Sequence, residues 1–219
     1  MTVLRALDWE AVRRQYDLRV AAHQELVALF DGTNSERFAQ FALGIVRKEA
    51  NYSAAEHALG PKVRAENQNA DARLKRLAEQ FADLPNGRLV PLKVHDANLK
   101  YLKIAVGSEL ACMMNPTRCW VTNVRTVWTD LVIKHNDNVA LANEQLQLYE
   151  RSEATPGMDY EVWSDLNGEL DVALTRISDD GAARAYEAGV EPGSIKYLWA
   201  DSIANTLFDS LRPRRRSRR

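Results

Sequence analysis

Ser108 and Glu109 lie together in one apolar run, and Asn123 and Arg125 follow beyond an Asn115-Pro116 break. These are residue types from which a site can be built. Asn-Pro ends a helix because proline disfavours helical geometry in the residue before it. The next helix therefore starts near Thr122 or Asn123, with Arg125 in its first turn. Backbone N–H groups at such a start lack intrahelical acceptors and favour an anion, and an adjacent arginine strengthens the attraction. The stretch also reads as packing. Gly107 and Ala111 allow close helix approach, Met113, Met114 and Trp120 fill a core, and Asn123 caps a helix. The two readings are compatible.

Other groupings are weaker by their own geometry. His95-Asp96 is an adjacent pair of the kind used by metal-dependent phosphohydrolases, which would draw on His57 and Asp130 as further ligands. Pro91 and Lys93 interrupt the apolar helix that such a pair requires, and Asp96 reads instead as an N-cap, so neither metal nor cofactor is expected. Arg88 and His95 suit a ribonuclease-like helix face, but Pro91 between them breaks that helix. His23 reads as a hydrogen-bonded core histidine and His135 as a helix C-terminal residue. Glu161, Asp165 and Glu169 share one helix face opposite Trp163, Leu166 and Leu170. That face reads as solvated, with a cation site or a dock for a basic segment as alternatives. Asp201 and Asn205, one turn apart, read as the polar outer edge of a core helix. Cys112 and Cys119, both in apolar settings, read as two buried thiols. The sequence has no Gly-rich phosphate loop and no Gly-x-Ser-x-Gly elbow.

Charge is unevenly distributed. Arg212, Arg214, Arg215, Arg216, Arg218 and Arg219 crowd the last eight residues, which hold no acidic residue. Without those six, 23 of the 29 Lys+Arg remain against 30 Asp+Glu, so a body of formal charge −7 stands behind the near-neutral total of −1. So dense a block of like charge repels itself and gains nothing from burial, and it is expected to be disordered. Phosphate backbones attract such a tail by counterion release, without any reading of sequence.

The stretch from Tyr101 to Trp128 resembles helix-hairpin-helix DNA-glycosylase-like domains. In one branch of them a core helix bearing Ser-Lys runs to Asn-Pro, and a loop leads to Ile/Val-x-Asp-x-Arg at the next helix start. Here Ser108-Glu109, Asn115-Pro116 and Val121-Thr122-Asn123-Val124-Arg125 fall on those positions. Ala105-Val106-Gly107 is similar to the Gly-Val-Gly hairpin whose amides hold a DNA phosphate. The resemblance implies phosphate contacts from Val106, Gly107, Ser108 and Arg125. It also implies that Glu109 and Asn123 mark a candidate pocket that has lost excision chemistry or performs another. Glu109 replaces the family's lysine nucleophile and cannot form a Schiff base, and Asn123 replaces its aspartate.

The elements that must position these residues are helices, since apolar residues recur at three and four along nearly every long segment. The first run spans Trp9 to Phe30, and the second starts after Asn34 and ends near Asn51. The third starts at Pro61 and reaches Phe81, its first half polar almost all round. Leu89 to Leu92 reads as a short extended piece, followed by a helix capped by Asp96 and running through Met113. Helices over Thr122–His135, Asn138–Tyr149, Val162–Ile177 and Ala182–Ala188 come next, and Ser194 opens the last. The expectation is a single all-α domain of eight or nine helices with a helix-hairpin-helix-like core over residues 1–211, then the basic tail over 212–219.

Nucleic acid is the expected partner, DNA rather than RNA, with a homo-oligomer and enzymatic activity left open. A protein-interaction module and a viral-type structural protein with an arginine-rich arm are the alternatives. No run is long enough to cross a bilayer, and the N-terminal residues lack a secretion signal, so the expected location is cytoplasmic, away from membranes.

Overall fold

Asp8 starts α1 (Trp9–Asp31) by accepting the Ala11 N–H at 2.9 Å, and the helix buries Trp9, Val12, Tyr16, Arg19, Ala22 and Leu26 at the spacing of one face. The computed structural model describes residues 3–151 and 156–211, except the side chains of 150, 151 and 156–158. After α1 come α2 (Ser35–Ala42), α3 (Tyr52–Glu56), α4 (Leu59–Ala65) and α5 (Ala70–Ala82). Then follow α6 (Val90–Ala97), α7 (Ile104–Met114), α8 (Val124–Lys134), α9 (Val139–Arg151), α10 (Pro156–Glu187) and α11 (Lys196–Leu211). Short 3₁₀ turns occupy Val3–Ala6, Lys48–Ala50 and Gly87–Leu89, and the described residues contain no strand.

Two helices form the centre. α7 buries Ile104 and every residue from Val106 to Met114, and α11 buries every residue from Tyr197 to Asn205. Burial on all sides, rather than along one stripe, marks a helix surrounded by others. α7 lies against α1, α3, α5 and α6, and α11 lies against α1, α8 and α10. Gly107 lets α6 come close: a Cβ there would lie 2.2 Å from Val94 Cγ2. Trp199 of α11 stacks on Trp9 at 6.1 Å and takes Tyr16 edge-on at 5.6 Å. No helix is long and apolar enough to cross a membrane among the described residues.

The helical class is as expected, but the segmentation differs. The third run is two helices, α4 and α5, with Asn69 at φ 52° between them. The second stops at Ala42, and Asn51 caps the separate α3 by accepting the Ala54 N–H. Leu89 to Leu92 is helical rather than extended, because Pro91 falls in the first turn of α6, where its missing N–H costs nothing. Asp96 therefore sits near the end of α6, and α7 starts eight residues later at Ile104. The two expected helices after Pro156 are one 32-residue helix. Gly181 packs so closely on α11 that a Cβ would lie 2.3 Å from Ile203 Cδ1.

Candidate functional site

Glu109 lies mid-helix in α7 and is fully buried, and its carboxylate accepts four hydrogen bonds. Oε1 accepts from the Ser53 N–H at 3.0 Å, the Ser53 hydroxyl at 2.6 Å and the Asn123 amide at 3.0 Å. Oε2 accepts from the Tyr52 N–H at 2.6 Å and lies 3.6 Å from Arg19 Nη1. The carboxylate thus serves the first turn of α3, where a negative charge answers unpaired N–H groups. It also holds the residue that starts α8.

Behind Glu109, Arg19 is fully buried and Asp201 is 2 % exposed. Arg19 Nε and Asp201 Oδ2 are 3.1 Å apart but misaligned, so neither atom makes a hydrogen bond. Arg19 Nη1 donates to the Glu49 carbonyl at 2.7 Å. Burial opposes the charge on Arg19, yet Asp201 and Glu109 outweigh it and hold the guanidinium above its ordinary range. Burial pushes the Asp201 carboxyl up to about 6, with Arg19 opposing and Glu109 adding to the rise. Asp201 and Asn205 thus belong to the interior, not to an outer edge.

Asn123 is the N-cap of α8. Its Oδ1 accepts from the Arg125 and Thr126 N–H groups, and the Thr126 hydroxyl returns to the Asn123 N–H. Its amide binds Glu109, so the two candidate pocket residues are in direct contact. They do not share a pocket, however. Asn123 lines a cavity of about 400 Å³, and Glu109 is sealed behind it and Ser53.

The cavity lies where α3, α4, α6, α7, α8 and α10 meet, and its size falls in the ~300–1,000 Å³ range of small-molecule sites. Tyr160 and Trp163 supply ring walls, and His95 lies 5.0 Å from the Tyr160 ring. Lys100, Lys103 and Arg125 are its basic residues, Glu56 and Asp159 its acidic ones. Lys103 pairs with Asp159 Oδ2 at 3.1 Å, while the buried Asp159 Oδ1 has no hydrogen-bond partner among the described residues. Ile104, Ala105 and Val106, the first three residues of α7, form part of the wall. Lys103 gives them no side-chain cap, and first-turn N–H groups have no intrahelical acceptor.

Against protein-family models, curated proteins and solved structures, the chain finds no match.

The site's geometry limits the expected phosphate contacts. Gly107 N–H is spent on the Lys103 carbonyl, and Ser108 exchanges hydrogen bonds with Thr122 across α7 and the following loop. Val106, Gly107 and Ser108 are all buried, as is Ile104, and only Ala105 among the first residues of α7 is partly exposed. Arg125 is on the rim but engaged. Nη1 donates to Asp209 at 2.7 Å and Nη2 to Glu56. Arg212, Arg214, Arg215, Arg216, Arg218 and Arg219 lie outside the described residues.

The remaining candidates have structural partners. Asn115 donates to the carbonyls of Phe81, Ala82 and Leu84, closing the end of α5. His23 Nδ1 is 2.6 Å from the Met113 carbonyl, and His135, the C-cap of α8, bonds Gln145. Asp130 pairs with Lys134 at 2.8 Å. Glu161, Asp165 and Glu169 are exposed, and Glu169 meets Lys134. Cys112 and Cys119 are buried free thiols. Burial pushes the Cys119 thiol up to about 12. Among the described residues, no three His, Cys, Asp or Glu side chains are grouped to hold a metal ion. Sequence reasoning missed Arg19, Ser53, Asp159 and the Tyr160–Trp163 wall. Arg19 did carry a signal, since it interrupts the apolar stripe of α1 between Tyr16 and Ala22.

Proposed function

We propose that the protein binds nucleic acid without excising bases: the terminal arginines take phosphates non-specifically, and the cavity receives one unstacked nucleotide. The observation that carries this reading is the cavity, where aromatic walls, a basic rim and the uncapped start of α7 stand together. A base taken out of its stack is held by stacking on aromatic rings and by hydrogen bonds to its edge. Its phosphate suits free amides at a helix start. The partnerships of Glu109 support a binding role, because its carboxylate is committed to two helix starts and a buried guanidinium. The resemblance to helix-hairpin-helix glycosylase-like domains points the same way and favours DNA over RNA.

The body's formal −7 gives it little broad attraction for phosphate, so the six arginines carry most of the affinity. Mobility shifts at low salt, comparing the full chain with one ending at Leu211, test the reading. The full chain should retard single-stranded DNA, and the shortened one should need about tenfold more protein. A full chain that leaves both DNA and RNA unshifted at low salt ends the proposal.

A further inference from the structure

Every lysine and arginine in the cavity wall is already answered by a carboxylate. Lys103 meets Asp159 at 3.1 Å, Arg125 is held by Asp209 at 2.7 Å and by Glu56, and Lys100 lies 4.0 Å from Glu66. A group that enters therefore meets no unbalanced charge, which suits the neutral ring of a base. One polar group in the wall keeps capacity to spare. Asp159 is 9 % exposed, and its Oδ1 is buried with no hydrogen-bond partner among the described residues. Oδ2 answers Lys103. A carboxylate accepts up to about four hydrogen bonds and donates none. Leaving such an acceptor buried and unmatched is costly, and a ligand N–H removes the cost. Asp159 and Trp163 lie one turn apart on α10, so the carboxylate and the indole share a helix face, and Tyr160 adds its ring to the same wall.

We infer that Asp159 selects the base, so that the cavity takes guanine ahead of adenine, cytosine and thymine. This rests on the binding role proposed above and names the nucleotide it receives. Guanine alone of the four carries two adjacent N–H donors on its pairing edge, at N1 and at the exocyclic N2. They match the two oxygens of one carboxylate. O6 comes next along that edge, and the Lys103 ammonium can donate to it while still holding Asp159. The other bases each set a lone pair against the carboxylate. Adenine and cytosine have a ring-nitrogen acceptor beside the amino group, and thymine flanks its single N–H with two carbonyls. Selection thus comes from repulsion of three bases as well as attraction of one.

Fluorescence anisotropy at low salt tests this on the full chain with end-labelled twelve-residue DNA strands that are abasic except for one central base. Phosphate contacts are common to all of them, so the ratio of affinities reads the base alone. The guanine strand should bind about tenfold tighter than the thymine, cytosine and adenine strands. Hypoxanthine, which lacks the N2 amino group, should bind about threefold or more weaker than guanine, whereas 7-deazaguanine, which keeps the pairing edge, should match it. In Asp159→Asn the amide turns its oxygen to Lys103 and its N–H groups to the base, and the guanine preference should fall to about twofold or less. Thermal melting shows whether that variant folds, and the base series on the natural chain decides the matter if it does not. A preference that persists in folded Asp159→Asn overturns the inference. Four bases that tighten binding equally over a fully abasic strand also overturn it, while nucleotide binding stands. If no base tightens binding, the cavity does not receive one and the proposed function itself fails.

Discussion

Arg19, Glu109 and Asp201 meet away from water, and their charges sum to −1 until Asp201 takes a proton. Burial raises that carboxyl from 3.8 to about 6. Between those values the folded protein keeps a proton that the unfolded chain has released. The resulting stabilisation is complete below about pH 4 and is lost as pH rises through about 6, on the order of 2–3 kcal/mol in all. Asp201→Asn keeps the shape and removes the titration. The melting-temperature difference between natural protein and Asp201→Asn should therefore slope across pH 4 to 6 and level off above. A flat difference in that window would mean an ordinary carboxyl. At this scale the sequence was partly legible. Asn123 as a cap and two buried thiols followed from residue type and setting. Asp201 did not, because a polar residue between Trp199 and Ile203 looks like an edge until α1 brings Arg19 against it.

Helices were legible where a stripe was long and apolar, as in α1 and α8, and misjudged where the chain turns without glycine or proline. The break between α4 and α5 is made by Asn69 in the left-handed region, which asparagine tolerates better than most residues. Proline misled in the other direction, because Pro91 begins a helix instead of ending one. Close helix packing at Gly107 was anticipated, though not α6 as the partner, and it gives a prediction about elements. Gly107→Ala places a methyl 2.2 Å from Val94 Cγ2, a stiff β-branched side chain that cannot swing aside freely. Overpacking of this kind costs about 1–3 kcal/mol, against the usual gain from replacing a helical glycine. Urea unfolding should show Gly107→Ala destabilised, and Gly107→Ala/Val94→Ala largely restored. Equal stability of all three proteins would mean that α6 and α7 slide apart at little cost.

Across the whole molecule, the sequence disclosed the charge division but not the cavity. A tail of like charges is visible as a string of letters, whereas the cavity draws on six helices spread from α3 to α10. The division has a measurable consequence. Each phosphate neutralised on a single strand contributes about 0.7 to the slope of log affinity against log salt, so removing residues 212–219 with their six arginines should flatten the slope by about four. A salt titration of single-stranded DNA binding measures this, and equal slopes would place the contacts on the body. The end of α11 carries a practical consequence for anyone engineering the molecule. With Asp209 clamped by Arg125, a folded cargo joined directly after Leu211 starts beside the cavity mouth and crowds whatever approaches it.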